Sequence, residues 1–352
     1  MKRIFILVVV VVISFGSAFA ERNVLIDFSN LVADLWVDPD LPESGENKQT
    51  LMDYSGTTQG SRFTAEQTAQ LRTSLVMKNW LVTLASSSQS VVNNSRSYVK
   101  RADSTGFFGG EGNPTPIMGV RVHFPVEPYN SWASIKPPFT IPAYEFSVVD
   151  DDGTVTPPDS QTQSFTDESR FENGYGILKN VGAIKQVSIQ VYGLNYPHHL
   201  SVIYEDDHGV QKTVPMGYLN FDGWRRLTWD NPAYIQEVRA RTMRLYPLYP
   251  VNSHYIKFVG LILQRDAANA GGDFIVYFKD IEVIYDKAIQ DVEPDIDDET
   301  TWRIRYDREE EKSERDSRNF GLDQVLRYIE GQKQATETFP TTAGSEAQGV
   351  AN

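Results

Sequence analysis

Cysteine is absent from the 352 residues. That excludes disulfides and thiolate metal sites, so stability must come from the core and from any assembly. Histidine is scarce: His123, His198, His199, His208 and His254 are the full set. His198 and His199 form the one adjacent pair. Neighbours on a strand point to opposite faces, so such a pair rarely shares a metal. No H-x-H or H-x3-H spacing occurs, and neither a metal nor another cofactor is expected. There is no G-x-S-x-G, no phosphate-binding loop and no dinucleotide fingerprint. The Gly-rich "GFFGGEGNP" (Gly106–Pro114) lacks a following Lys-Ser/Thr and reads as a loop.

Positive charge is also in short supply. Lys and Arg number 33 against 47 Asp and Glu, a net charge of −14. This disfavours nucleic acid and anionic membrane surfaces as partners. One apolar run stands out, "IFILVVVVVISF" (Ile4–Phe15), behind Lys2 and Arg3 and ahead of the small residues Ala18 and Ala20. The pattern is that of a secretory signal peptide over residues 1–20, cut after Ala20. The run is short for a membrane anchor, so no membrane association is expected once it is removed.

Aromatic and hydrophobic residues are plentiful, at 12% and 40%. They suit a folded domain with a sizeable core. Strand character begins at "NVLIDFSNL" (Asn23–Leu31). A short helix is expected over "TAEQTAQLRTSLV" (Thr64–Val76), where Thr64 and Gln67 make a capping box. "NWLVTLAS" (Asn79–Ser86) returns to strand, and residues 86–116 read as loops around one polar strand. In "MGVRVHFPV" (Met118–Val126), Val120, Val122 and Phe124 alternate with Arg121 and His123. "KPPFTIP" (Lys136–Pro142) must be extended and irregular, and Asp150–Phe165 reads as a solvated loop.

From Ala183 the β signal is clearest. Val187, Ile189 and Val191 alternate with Gln186, Ser188 and Gln190, as in a half-buried antiparallel strand. "LSVIYEDDHGVQKTV" reads as a hairpin turning at Asp206–Gly209. "YIKFVGLIL" (Tyr255–Leu263) is apolar almost throughout and should be a central strand covered on both faces. "DFIVYFKDIEVIYD" (Asp273–Asp286) completes the set, and no amphipathic helix is expected between 183 and 286. The fold class is all-β: an antiparallel β-sandwich of the jelly-roll, galactose-binding or carbohydrate-binding-module kind, spanning 21–286 with long loops. Residues 287–352 form a charged, partly disordered tail. A short amphipathic helix is expected near 321–331, where Leu322, Val325, Leu326 and Ile329 make one stripe. It either docks on its own sandwich or serves another molecule.

No carboxylate pair is marked out for glycoside cleavage. The "EDDHG" run (Glu205–Gly209) is what a turn demands, ahead of any calcium site. "DIDDE" (Asp295–Glu299) lacks EF-hand spacing. What remains is "GYLNFDGWRRLTWDNP" (Gly217–Pro232). Period-2 logic sets Arg225, Leu227 and Trp229 on one face and Trp224, Arg226 and Thr228 on the other. One ring should enter the core and one should lie on an outer, partly covered face. "RLYPLYPVNSHY" adds Tyr246, Tyr249 and Tyr255. With Trp224 and Arg226 these tyrosines are the candidate interface residues. A periplasmic carbohydrate-binding module is the alternative reading of the same aromatics, and a sandwich-fold glycosidase or lyase ranks below it.

Taken together, "GVRVHFPVEPYNSWASIKPPFTIPAYE" (Gly119–Glu145), "VYGLNYPHHLSVIYEDDHG" (Val191–Gly209), "MGYLNFDGWRRLTWDNPAYI" (Met216–Ile235) and the segment Ile256–Asp286 resemble the flagellar filament outer-layer, or sheath, proteins of spirochaetes. The resemblance spans roughly Asn23 to Asp286. It implies an exported, non-enzymatic structural protein of the periplasm that coats the flagellin core of an internal flagellum. Its expected partners are the flagellin core and other sheath subunits. The family offers no catalytic residues to carry over.

Overall fold

The computed structural model describes residues 20–32, 50–53, 64, 72–108, 114–143, 148–149, 155–156, 171–243 and 254–288, with isolated positions between 302 and 326. In chain order the strands are β1 (Glu21–Asp27), β2 (Leu51–Asp53), β3 (Arg72–Ser74), β4 (Leu81–Leu84), β5 (Tyr98–Ser104), β6 (Thr115–Phe124), β7 (Ser131–Lys136), β8 (Val148–Val149) and β9 (Val155–Thr156). They continue as β10 (Ile177–Lys179), β11 (Val181–Leu194), β12 (His199–Asp206), β13 (Gln211–Tyr218), β14 (Asp222–Asp230), β15 (Tyr255–Arg265) and β16 (Gly272–Lys287). Between described strands stand the α-helices α1 (Val91–Arg96) and α2 (Tyr234–Met243).

Twelve of the strands make two six-stranded antiparallel sheets, and β2–β3 and β8–β9 form two separate two-stranded ones. The first runs β14-β11-β16-β6-β5, and the second runs β13-β12-β15-β7-β4. The 16-residue β16 is long enough to hold two partners end to end on one edge: β6 along Gly272–Phe278 and β1 along Asp280–Tyr285. The chain passes repeatedly between the sheets, as a jelly roll does. The expected all-β sandwich is therefore the fold.

Period-2 alternation builds the core. Val120, Val122, Phe124, Val187, Ile189, Val191, Val276 and Phe278 point inward from the first sheet and are at most 1% exposed. Ala133, Ile135, Leu200, Val202, Phe258, Leu261 and Leu263 answer them from the second. At one end Phe28, Trp80 and Phe258 pack with ring centroids 5.5–6.4 Å apart, and the Trp80 indole N–H donates to the Leu75 carbonyl at 2.8 Å. As expected, Tyr255–Leu263 is central, with β12 on one side and β7 and β10 on the other.

Four expectations are corrected. Arg72–Ser74, read as the end of a helix, is a strand paired with Leu51–Asp53; positions 65–71 lie outside the described residues. Helix α1 lies within the stretch read as loops; its Ser90 hydroxyl accepts from the Asn93 N–H at 3.0 Å. Helix α2 stands between β14 and β15, where none was expected. Most of its described side chains, at 234–240, are exposed, and it has no apolar stripe to betray it. Strand β11 is not half-buried either: Ser188 and Gln190 are each only 6% exposed. The expected amphipathic helix at 321–331 lies outside the described residues except for Leu326, which is helical and exposed.

Candidate interaction surface

Strand β14 pairs with β11 in a register that sets Trp224 opposite Tyr192, Arg226 opposite Gln190 and Trp229 opposite Val187. Because Val187, Ile189 and Val191 face the core, Leu227 and Trp229 turn inward and pack against it. Arg225, on the same side but at the strand's exposed end, lies over the Phe221 ring at 4.4 Å. Trp224 and Arg226 face outward. The two tryptophans are divided as the alternation requires.

Trp224 anchors an aromatic cluster on the outer face of the first sheet. Its ring meets Phe108 edge-on at 4.8 Å, Tyr192 edge-on at 5.4 Å, and Phe107 in a stacked arrangement at 6.4 Å. Tyr277 extends the cluster from Tyr192 at 5.9 Å. Phe107 is 69% exposed, so the outer rim of the cluster is open to solvent. The sequence did not mark Phe107 or Phe108 as site residues, because a Gly-rich loop carries no periodicity.

Beside the rings lies a charge network. The Arg226 guanidinium donates to Gln190 at 3.1 Å and Ser188 at 3.3 Å, and pairs with Asp280 at 2.9 Å and Glu282 at 2.7 Å. Arg226 thus lies over Ser188 and Gln190, which explains their burial. Lys279 bridges Asp27 and Asp280, each at 3.2 Å, and sits over the Phe108 ring at 5.5 Å. Further along the same face, Asp273 takes two hydrogen bonds from Arg121 and one contact from His123 at 2.7 Å, and these hold its carboxyl below the usual range.

The other candidates fall elsewhere. Tyr255 is 3% exposed and belongs to the core, so it offers no surface in the subunit. Tyr246 and Tyr249 lie outside the described residues.

The Asp206–Gly209 turn is as read. Asp206 Oδ1 accepts from the N–H groups of His208 and Val210, at 3.1 and 2.9 Å. Donor atoms of Asp206, Asp207 and His208 lie within 4.8 Å of one another. These are hard and borderline ligands that a divalent cation could use, but the turn amides already occupy Asp206. Burial favours a neutral Asp207, yet the His254 ring at 3.2 Å and the His208 ring at 2.9 Å outweigh it and depress its pKa.

His198 and His199 do point to opposite faces. His198 is 3% exposed and packs against Phe274 with centroids 4.3 Å apart. Burial, then the charge of Arg265, push it down to about 4. His199 faces out from the second sheet, against Tyr218 at 5.3 Å.

The profile of the flagellar filament outer layer protein FlaA family matches residues 43–293. The chain is 42% identical to the flagellar filament outer layer protein of Treponema pallidum (strain Nichols), with 99% of each chain covered. It is also 42% identical to the protein of that name from Spirochaeta aurantia, over 96% of this chain and 94% of that one. Among solved structures, a carbohydrate-binding module of the β-sandwich superfamily covers 59% of the chain at 9% identity with a TM-score of 0.28. A second module, in complex with β-1,4-galactotriose, covers the same share at 8% identity and a TM-score of 0.27. Those likenesses are too distant to argue from. The sequence match is not, and the chain belongs to the family of flagellar filament outer layer proteins.

Proposed function

We propose that this protein is a structural, non-enzymatic subunit of the sheath of a periplasmic flagellar filament, exported by its first twenty residues and laid over a flagellin core. The observation that carries the reading is the near end-to-end identity with named outer layer proteins. The charge and the empty catalytic inventory agree with it. A sheath subunit needs lateral contacts with its own kind or with other sheath subunits, and an inward contact with the core. Contacts that do not close on themselves build such helical layers.

The aromatic rim of Trp224 and Phe107 is the contact we assign to assembly. Exposed aromatic groups beside paired charges are common at protein interfaces. Arg226 supports that rim from within the subunit, since its guanidinium is already engaged by Asp280 and Glu282. The test is copurification with intact filaments, together with a deletion strain. Filaments should become thinner or more flexible and motility should fall while the core persists. Unchanged filaments, with the protein free in the periplasm, would overturn the reading.

A further inference from the structure

The outer face of the second sheet carries a feature that sheath packing does not require. Register aligns four side chains in one row across four strands. Tyr218 of β13 pairs with His199 of β12, His199 with Gln264 of β15, and Gln264 with Trp132 of β7. All four face outward, because Leu200, Leu263 and Ala133 beside them face the core. Trp132 is 44% and Tyr218 52% exposed, and they stand at the two ends. Strands lie about 4.8 Å apart, so the row is about 14 Å long.

The row contains no carboxylate, lysine or arginine. The next row is also uncharged: Thr83, Ser134, Ile262, Ser201 and Pro215. Within it Ser134 is 5% exposed, and its hydroxyl has no hydrogen-bond partner. An unpaired buried hydroxyl is costly, and a ligand that bonds to it removes the cost. The Ser201 hydroxyl reaches His199 Nδ1 at 3.4 Å. Further down the sheet, the charged pair Lys257–Glu205 closes on itself at 2.7 Å.

From this arrangement we infer that the row is a binding site for a neutral oligosaccharide lying across the strands. A pyranose has apolar C–H faces and a rim of hydroxyls. Trp132 and Tyr218 supply rings for the faces, and each ring also has a polar handle. His199, Gln264 and Ser134 supply donors and acceptors for the hydroxyls between them. A charged ligand would find no counter-charge here, and the row's length suits about three sugar units. The inference stands apart from the sheath role and places sugar recognition on the sheet opposite to Trp224.

The mature full chain is titrated by calorimetry against two probes. Chitotetraose represents an N-acetylhexosamine wall strand. Oligosaccharides released by β-elimination from purified flagellar cores represent a protein-linked glycan. Saturable binding to one of them is expected, and which one binds identifies the source. Trp132→Ala and Tyr218→Ala should each weaken it about tenfold or more, and Ser134→Ala severalfold. Ile235→Ala, on the exposed face of α2, should leave it unchanged. Thermal midpoints of all four variants report folding separately. No saturable binding by the wild-type chain to either probe overturns the inference, as does binding indifferent to both aromatic substitutions. So does a loss of filament association in Trp132→Ala without any sugar binding in the parent, which would make the row a protein contact. The sheath reading stands or falls on copurification, which these titrations do not measure.

Discussion

Arg226 and Asp280 meet at 2.9 Å on the outer face of the first sheet, joining an edge strand to its central one across the intervening β11. The same guanidinium bonds Ser188 and Gln190 beneath it and takes Glu282 at 2.7 Å. One side chain thus ties three strands together and places the edge that bears Trp224.

Replacing Arg226 with Ala should leave Asp280 and Glu282 side by side without their shared cation. A loss of about 1–2 kcal/mol is expected, held down by the side chain's partial exposure. Urea unfolding checks it. A midpoint equal to the parent's would mean the network contributes nothing net.

Trp224→Ala removes the centre of the aromatic cluster but no core residue. Stability should fall by about 1–2 kcal/mol, and association with filaments should fall far more. Phe28→Ala is the contrast. It opens a cavity among Trp80, Phe258 and Phe278 and should cost about 3–5 kcal/mol. Comparing binding and unfolding for the two variants separates contact from core. A Trp224→Ala protein that unfolds readily yet still sheathes filaments would make the cluster purely structural.

His198 gives the subunit an acid-sensitive element. Its folded-state value is about 4, against an ordinary 6.5. Between those values the unfolded chain binds a proton that the folded chain refuses. Stability from this group is therefore full above the ordinary value and declines as pH falls towards 4, by up to about 3 kcal/mol. His198→Phe should flatten the stability profile over that window. An unchanged slope would show that the ring titrates alike in the folded and unfolded chain.

Gly271 has a different constraint. A Cβ there would collide with the Pro125 carbonyl and come within 2.6 Å of the Arg265 guanidinium. Arg265, itself 1% exposed, donates to the carbonyls of Pro125, Glu127 and Tyr129 and so holds the β6–β7 loop. Gly271→Ala should shift this loop and lower the thermal midpoint by several degrees. A midpoint unaffected by the extra methyl would mean the loop yields freely.

Much of this was legible in the sequence. Alternation at Val187, Ile189 and Val191 and at Val120, Val122 and Phe124 fixes which face is core, because side chains on a strand point alternately to its two sides. The same rule divided Trp224 from Trp229 and His198 from His199 correctly. Turn chemistry placed the hairpin at Asp206–Gly209. Helix α2 escaped because an exposed helix needs no apolar stripe. The burial of Ser188 and Gln190 escaped because the cover comes from Arg226, which is 36 residues away from Gln190.

By itself, then, the sequence determined the class of fold, the inward face of most strands and the family. Those follow from local periodicity and from whole-chain similarity. Only the tertiary structure decided which distant residues share a surface. Phe107 and Phe108 join Trp224 across more than a hundred residues, and Trp132 shares a row with Tyr218 only through two intervening strands. Tyr255 is buried because it lies at the start of a central strand, paired with neighbours on both edges and packed within the core cluster. Strand order and register set such neighbours, and they arise from long-range pairing that no short window of sequence contains.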